Sequence, residues 1–315
     1  MDHNDIHVDR ALSNFAVEYT NEEYIAQAVA PYVPVGKKSD KYFVYDKKDR
    51  FTAPQTIRGP KDEAKEVEWN VSDSDFSCVD HALKDFVPDS MTANADMPIT
   101  PREKSTETLV DLLLLSFEIA TATLATTYAN YGASYRIQLS GGDQLDNYSE
   151  SDPIGVIDTG KAACFKEPNT IIMGAEVWNI LKRHPQILDH VKGGATSGDP
   201  AKVTLQNLAE IFEVERILVG KAKKNTANKG QTASFSYVWG KDIVCAYIDP
   251  QPSTIGVSAW KTFRWIQMST GEGFQVRTYR DEKRGGGGEV IEPETSYESK
   301  AICTDVAYLI DTAIS

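Results

Sequence analysis

Thr100-Pro-Arg-Glu-Lys-Ser-Thr-Glu-Thr-Leu-Val-Asp-Leu-Leu-Leu-Leu-Ser-Phe-Glu-Ile-Ala-Thr-Ala-Thr-Leu-Ala-Thr-Thr-Tyr128 is the stretch that decides what kind of molecule this chain makes. A membrane-crossing helix needs about 20 apolar residues almost free of charge. Here Asp111 and Glu118 interrupt the run, and threonines and alanines dilute it. The stretch therefore reads as a long helix within a water-borne protein, with no membrane partner. Thr100 stands at the N-cap, Pro101 at the first helical position and Glu103 at the third, a standard opening for a helix. Leu109, Leu113, Phe117, Ala120, Leu124 and Tyr128 then recur at three- and four-residue steps. The pattern predicts a helix over 101–131, stopped by Gly132 and over roughly 40 Å long.

N-terminal to this helix, residues 1–35 form an acidic arm of net charge −5, with a short helix expected over Asn21–Val29 before Pro31. Residues 36–87 have no helical period. Lys41-Tyr-Phe-Val-Tyr45 and Glu66-Val-Glu-Trp-Asn-Val71 read as two strands, the second with Val67, Trp69 and Val71 on one face. The polar connection between them has no core of its own, and such long tips are functional or disordered. The segment 37–65 carries +4, whereas 66–100 carries −7. A basic tip between acidic flanks would find its complement on a neighbouring copy; a merely solvated basic loop is the competing reading.

C-terminal to the helix, residues 141–153 are a turn-rich linker and a domain boundary. Residues 154–282 read as α/β: a strand at Thr170–Met173, a helix Ala175–His184 ended by Pro185, a helix capped by Thr204, and a strand at Ile217–Val219. A hairpin of Phe235–Trp239 and Ile243–Ile248 is expected around Gly240-Lys241, then a strand at Phe274–Tyr279. The lysine-bearing loop Lys221–Ala233 and the run Gly285–Gly288 interrupt the pattern, the glycines as a mobile loop. Strand character returns over 296–314.

The 315 residues suit one large domain or two ordinary ones, and 41% apolar with 25% charged residues is enough for a core. A net charge of −13 argues against a sequence-reading DNA binder. Cys78, Cys164, Cys245 and Cys303 have neither zinc nor redox spacing. His184 and His190, six residues apart, do not share a helical face, and His3 and His7 lie in the arm. Gly271-Glu-Gly273 and Gly285–Gly288 lack the rest of a dinucleotide or phosphate-loop motif, and no nucleophile or zincin motif is present. No catalytic, cofactor-binding or metal-ligating residue is assigned, and no enzyme activity is expected. The aromatics Tyr237, Trp239, Trp260, Phe263 and Trp265 read as core.

The order of parts resembles the major capsid proteins of tailed bacteriophages with the Hong Kong 97-like shell fold. The stretches that carry the resemblance are Tyr19-Thr-Asn-Glu-Glu-Tyr-Ile25, Lys41-Tyr-Phe-Val-Tyr-Asp46, Ser151-Asp-Pro-Ile154, His184-Pro-Gln-Ile187, Thr204-Leu-Gln-Asn-Leu-Ala-Glu-Ile-Phe212 with Ile217-Leu-Val-Gly220, and Tyr237-Val-Trp-Gly240. It implies an α+β chain in five parts: an N-terminal arm, 1–35; an extended β-hairpin loop, 36–87, reaching over a neighbour; a peripheral domain, 88–154, with spine helix 101–131; an α/β axial domain, 155–285; and C-terminal strands, 286–315, returning to the peripheral domain. The implied function is an icosahedral shell, built by self-assembly into pentamers and hexamers around double-stranded DNA that is held without sequence recognition. Portal and scaffolding proteins are the further partners implied. The 35 residues before the hairpin suggest that scaffolding is a separate protein or absent. The chain would be made in the host cytoplasm and end in the virion. Lys47, Lys48, Arg50, Arg58, Lys61 and Trp69 are the expected inter-subunit contacts. An encapsulin-like cellular compartment, and a soluble oligomeric enzyme without a recognisable motif, are the alternatives.

Overall fold

The computed structural model describes residues 7–9, 12, 13, 16, 23–45, 53, 56–59, 63, 64, 66, 71–94, 100–192, 203–254, 256–267 and 273–315. It is an α+β molecule built on two sheets and one long helix. The strands, in chain order, are β1 (His7–Val8), β2 (Tyr32–Val35), β3 (Ser39–Tyr45), β4 (Val71–Ser77), β5 (Val79–Ala82), β6 (Asp85–Pro88), β7 (Arg136–Gln138), β8 (Thr170–Gly174), β9 (Arg216–Gly220), β10 (Lys223–Asn225), β11 (Phe235–Tyr237), β12 (Ile243–Ala246), β13 (Trp260–Trp265), β14 (Gln275–Asp281), β15 (Gly288–Ala301) and β16 (Ala307–Asp311). The helices are α1 (Ala26–Val29), α2 (Asp89–Ala93), α3 (Pro101–Thr126), α4 (Pro153–Ala163), α5 (Ala175–Leu181), α6 (Pro185–Lys192) and α7 (Leu205–Ile211).

The long helix α3 begins where the sequence places it and stops earlier. Its C-terminal carbonyls are taken by side chains: Thr127 Oγ1 donates to Thr123 O, Asn130 Nδ2 to Leu124 O at 2.9 Å, and Tyr131 OH to Ala125 O at 2.5 Å. Threonines and an asparagine that bond the last turn from outside end a helix without glycine. The chain passes through the 3₁₀ turn Tyr128–Asn130 before it reaches Gly132. α3 is the one helix among the described residues long and apolar enough to cross a membrane. Its inward residues are built into the core instead: Val110 and Leu113 with Val87, Val276 and Ile291, Phe117 with Ala26 and Tyr297, and Ala122 and Ala125 with Trp239 and Trp260.

Beneath α3 lies a seven-stranded sheet of order β1-β14-β15-β13-β2, with β5 and β6 also on β15. The 14-residue β15 is its beam. Gly288–Glu294 pairs with β14 and Tyr297–Ala301 with β13, while β6 and β5 occupy the remaining edge. The second sheet has five strands, β7-β16-β12-β8-β9. One face meets the helices through Ile157, Leu181, Ile187, Leu208 and Phe212. The other meets α1 and the end of α3 through Ile172, Val244, Ala246 and Leu309. Burial on both faces explains why β8, β9 and β16 read as continuous apolar runs with no alternation.

Several elements differ from the sequence expectation. Phe235–Tyr237 pairs with β10, and β12 sits between β16 and β8, so the expected hairpin around Gly240 does not form. The cause is close packing. A Cβ on Gly174 would meet Gly240 O at 2.0 Å, and one on Gly220 would meet the Trp239 ring at 2.0 Å. The 239–240 segment therefore crosses the ends of β8 and β9 and cannot turn back along them. Pro185 opens α6, having been expected only to close the helix before it. The helix α4, capped by Asp152 accepting from Gly155 N, was not foreseen. Gly285, Gly286 and Gly287 have positive φ in the turn between β14 and β15, whereas Gly288 is a strand residue under Phe86. The C-terminal stretch divides: β15 lies under α3, but β16 enters the five-stranded sheet.

Glu118 is the unexpected keystone. Fully buried on α3, it accepts from Ile25 N at 3.0 Å, Ala26 N at 2.7 Å and Trp239 Nε1 at 2.5 Å. Burial pushes its carboxyl pKa up, against the opposing pull of these donors. Removing it strands three buried donors. Glu118→Ala is expected to destabilise the chain by about 3–5 kcal/mol, and Glu118→Gln, which keeps one acceptor oxygen, by about 1–3 kcal/mol. Equilibrium denaturation of the unassembled protein measures both.

Candidate assembly surface

The β3–β4 hairpin leaves the seven-stranded sheet and forms a separate two-stranded ladder, from Ser39↔Ser77 to Tyr45↔Val71. The second strand is described over Val71–Ser77; of the expected 66–71, residues 67–70 lie outside the described residues. The base of the hairpin is fastened to its own body. Phe76 stacks on the buried Phe263 with centroids 4.5 Å apart, and Tyr42 lies 5.3 Å from the same ring. Val33, Val35 and Cys78 complete this cluster, and burial raises the Cys78 thiol to about 11. Ser77 N donates to Glu298 at 2.6 Å and Lys300 Nζ to Asp75 O, so the far end of β15 also grips the hairpin.

The charges at the base are satisfied within the chain. Lys37 pairs with Asp40 at 3.0 Å, Lys38 with Asp80 at 2.6 Å, and Lys41 with Asp73 across the ladder. The hydrogen bond from Lys41 holds the Asp73 carboxyl below its ordinary range, and Asp73 in turn raises Lys41. Exposed pairs of this kind add little stability, but Asp80 and Asp73, from outside the segment, offset two lysines of the +4 surplus counted over 37–65. The charged residues expected to meet a neighbour all lie beyond Tyr45 in the chain. Of those expected, Lys47, Lys48, Arg50, Lys61 and Trp69 lie outside the described residues. Arg58 is described and exposed, next to Ile57 at 83% exposure.

A cleft of about 450 Å³ opens at the hairpin base, between Pro34, Val35, Tyr42, Phe76 and Thr254. Its Thr254 wall is held by Lys261, a buried lysine of β13 whose Nζ donates to Ser253 O and Gly256 O at 2.5 Å. Burial lowers the pKa of this ammonium. Sequence reading passed over Lys261; its one signal was a lysine inside an aromatic strand. His184 is buried, 3.0 Å from Ser151 Oγ and edge-on to Tyr148, while His190 is exposed on α6. His7 belongs to β1, paired with Thr278, and His3 lies outside the described residues. Among the described residues no three His, Cys, Asp or Glu side chains group as metal ligands.

A hairpin projecting from a body of two sheets braced by a long helix defines the class of protein. A phage-related protein from Bordetella bronchiseptica RB50 has this fold, with a TM-score of 0.74 and 24% identity, 97% of each chain being covered. No family model matches the sequence. The major capsid protein of Pseudomonas phage JBD67 is 32% identical over 310 residues, covering 98% of this chain and 97% of that one. The major capsid protein of Burkholderia phage BcepMu is 30% identical over 251 residues, covering 78% and 77%. The chain belongs to the phage major capsid proteins.

Phe263 carries the hairpin base, so its loss should act there first. Phe263→Ala is expected to cost about 3–5 kcal/mol. Hydrogen exchange should lose protection over 39–45 and 71–77 before the five-stranded sheet. Equal loss in both regions would contradict a local anchoring role.

Proposed function

We propose that copies of this chain close into the icosahedral shell enclosing the double-stranded DNA genome of a tailed phage, and that its role is structural, without catalysis. The observation that carries this reading is the 32% identity to a phage major capsid protein along 98% of the chain. The hairpin supports it physically. Anchored at its base on Phe263, the β3–β4 ladder forms a sheet of its own, separate from the seven-stranded one, and a shell needs one such contact repeated by symmetry. In this reading 1–35 is the arm, 36–87 the extended loop over a neighbour, 88–154 the peripheral domain, and 155–285 the axial domain. The strands over 286–315 return to the peripheral domain, apart from β16, which joins the five-stranded sheet together with β7; β13 and β14, although within 155–285, belong to the seven-stranded sheet under α3. Lys47, Lys48, Arg50, Arg58, Lys61 and Trp69 meet the neighbouring subunit. DNA is enclosed without sequence recognition, portal and separate scaffolding proteins are further partners, and the protein, made in the host cytoplasm, ends in the virion.

The fold is shared by the encapsulin of Synechococcus elongatus, with a TM-score of 0.53 at 12% identity, so the contents of the particle discriminate a phage head from a cellular compartment. Negative-stain microscopy of the purified protein should reveal closed shells. Particles from the native source should hold DNA, and enzyme cargo in its place would favour the compartment. Reversing Lys47, Lys48 and Arg50 together should impair assembly, leave the circular dichroism of the subunit unchanged and alter salt dependence. Normal assembly with unchanged salt dependence would remove these residues from the interface.

A further inference from the structure

The five-stranded sheet carries opposite charges on its two edges. At one edge, β9 leads directly into the β10–β11 tongue. From Arg216 to Lys241 the chain has six basic residues and no acidic one, although its net charge is −13. Two of the six serve the fold: Arg216 donates to Thr170 Oγ1 and Ala28 O, and Lys241 to Ser315 O. Lys221, Lys223 and Lys229 are exposed, and Lys224 is half-buried. Lys223 lies over the Tyr237 ring, and none of the four has an ion pair among the described residues. The tongue is a built element. Thr226 N donates to Ser234 O, and Asn225 Oδ1 accepts from Ala227 N and Ser234 N. Phe235, paired with Asn225 on the same tongue, is 69% exposed among the described residues.

At the other edge, β7 leads directly into a segment of opposite sign. Residues 137–160 contain Asp143, Asp146, Glu150, Asp152 and Asp158 and no lysine or arginine. Leu139 N and Leu145 N donate to Asp311 O and Ala313 O, which fixes this segment along the continuation of β16. Asp146 is taken by Ser315, and Asp152 by Gly155 N and Gln186. Asp143 and Glu150 are exposed, Glu150 accepting from Asn147 Nδ2 at 3.1 Å. Asp158 stands apart from this edge, on α4 and 3.9 Å from Lys161, whose Nζ donates to Phe212 O before β9.

Strand direction puts the two segments at one level. β7 is parallel to β16, β16 and β8 are both antiparallel to β12, and β9 is parallel to β8. β7 and β9 therefore run the same way, and both charged segments leave from the same end of the sheet, on opposite edges roughly 19 Å apart. A surface that is basic on one side and acidic on the other, at the same height, complements a second copy placed beside it. We infer that the tongue of one subunit, through Lys221, Lys223 and Lys229, docks on the Asp143–Glu150 edge of the next. This is a head-to-tail contact of the kind that closes into rings. It rests on the reading of the chain as a self-assembling shell protein and adds the surface by which neighbours around a ring recognise each other. The occupant is a second copy and not the enclosed nucleic acid, because the complementary charge stands on this same sheet at the matching level.

Two variants test the contact: Lys221→Glu/Lys223→Glu/Lys229→Glu, and Asp143→Lys/Glu150→Lys. Wild-type shells, formed with the scaffolding protein of the native source present and seen by microscopy, are the control; if the wild type then forms none, the shell reading itself fails. Given wild-type shells, each variant alone should yield more than about tenfold fewer rings and shells, since like charges face each other at every contact. Each should keep the wild-type circular dichroism and melting temperature as a monomer. The combined variant, with the edges exchanged in sign, should recover assembly. Mixing the two separate variants should give rings of even copy number only, because the two chains must alternate. Normal shells from the tongue variant would overturn the contact. Normal shells from it that have lost their nucleic acid would overturn it too, and assign the lysines to the genome. Folded chains of the combined variant that fail to assemble would likewise refute pairing between these two edges.

Discussion

Everything in this subunit hangs on how one carboxylate is housed. Glu118 belongs to the long helix, takes the backbone N–H groups that open α1, and takes the indole N–H of Trp239 from the crossing above β8 and β9. Three parts of the chain that are far apart in sequence thus meet at one acceptor. The buried charge is costly, and it persists because removing it would leave more buried donors unmet than the charge itself costs. Such a group specifies arrangement more than it adds stability. With it in place the arm cannot slide along α3, and the five-stranded sheet cannot rotate against the helix.

The rest of the architecture separates what must be rigid from what must reach. The five-stranded sheet is covered on both faces, and the seven-stranded sheet is braced by α3. Among the described residues the hairpin is fixed at its root, by Phe76 and Tyr42 on Phe263 and by Lys300 and Glu298 at the end of β15. A subunit of this kind presents a stiff body and a directed extension.

Much of the fold was legible because its signals are local. The opening of α3 is written in Thr100-Pro101 and its inward face in the spacing of Leu109, Leu113 and Phe117. The central strands of the second sheet are apolar runs, and Thr204 caps α7 as read, accepting from Asn207 N. What escaped depends on contacts between distant residues. Gly240 reads as a hairpin turn in any local window, whereas Trp239 and Gly240 pack closely on Gly220 and Gly174, and the flanking strands pair with β10, β16 and β8. Glu118 read as a charge spoiling a membrane span, since its three donors are about a hundred residues away in the chain. Lys37, Lys38 and Lys41 read as available positive charge until their partners Asp40, Asp80 and Asp73 were in view. Family membership was legible in the order of parts, which outlasts the divergence of any one of them.

The long strand β15 has a mechanical consequence. It is hydrogen-bonded to β14, β13, β5 and β6, and its end holds the root of the hairpin. A pull on the hairpin enters β15 near Lys300 and runs along the strand axis. There the rungs of four ladders resist in shear, all loaded at once. A pull of the same size at right angles would open them one after another, like a zip. The subunit is therefore stiff along the line its extension points and compliant across it, so a lattice of such subunits would carry tension through its strands and accommodate bending between them.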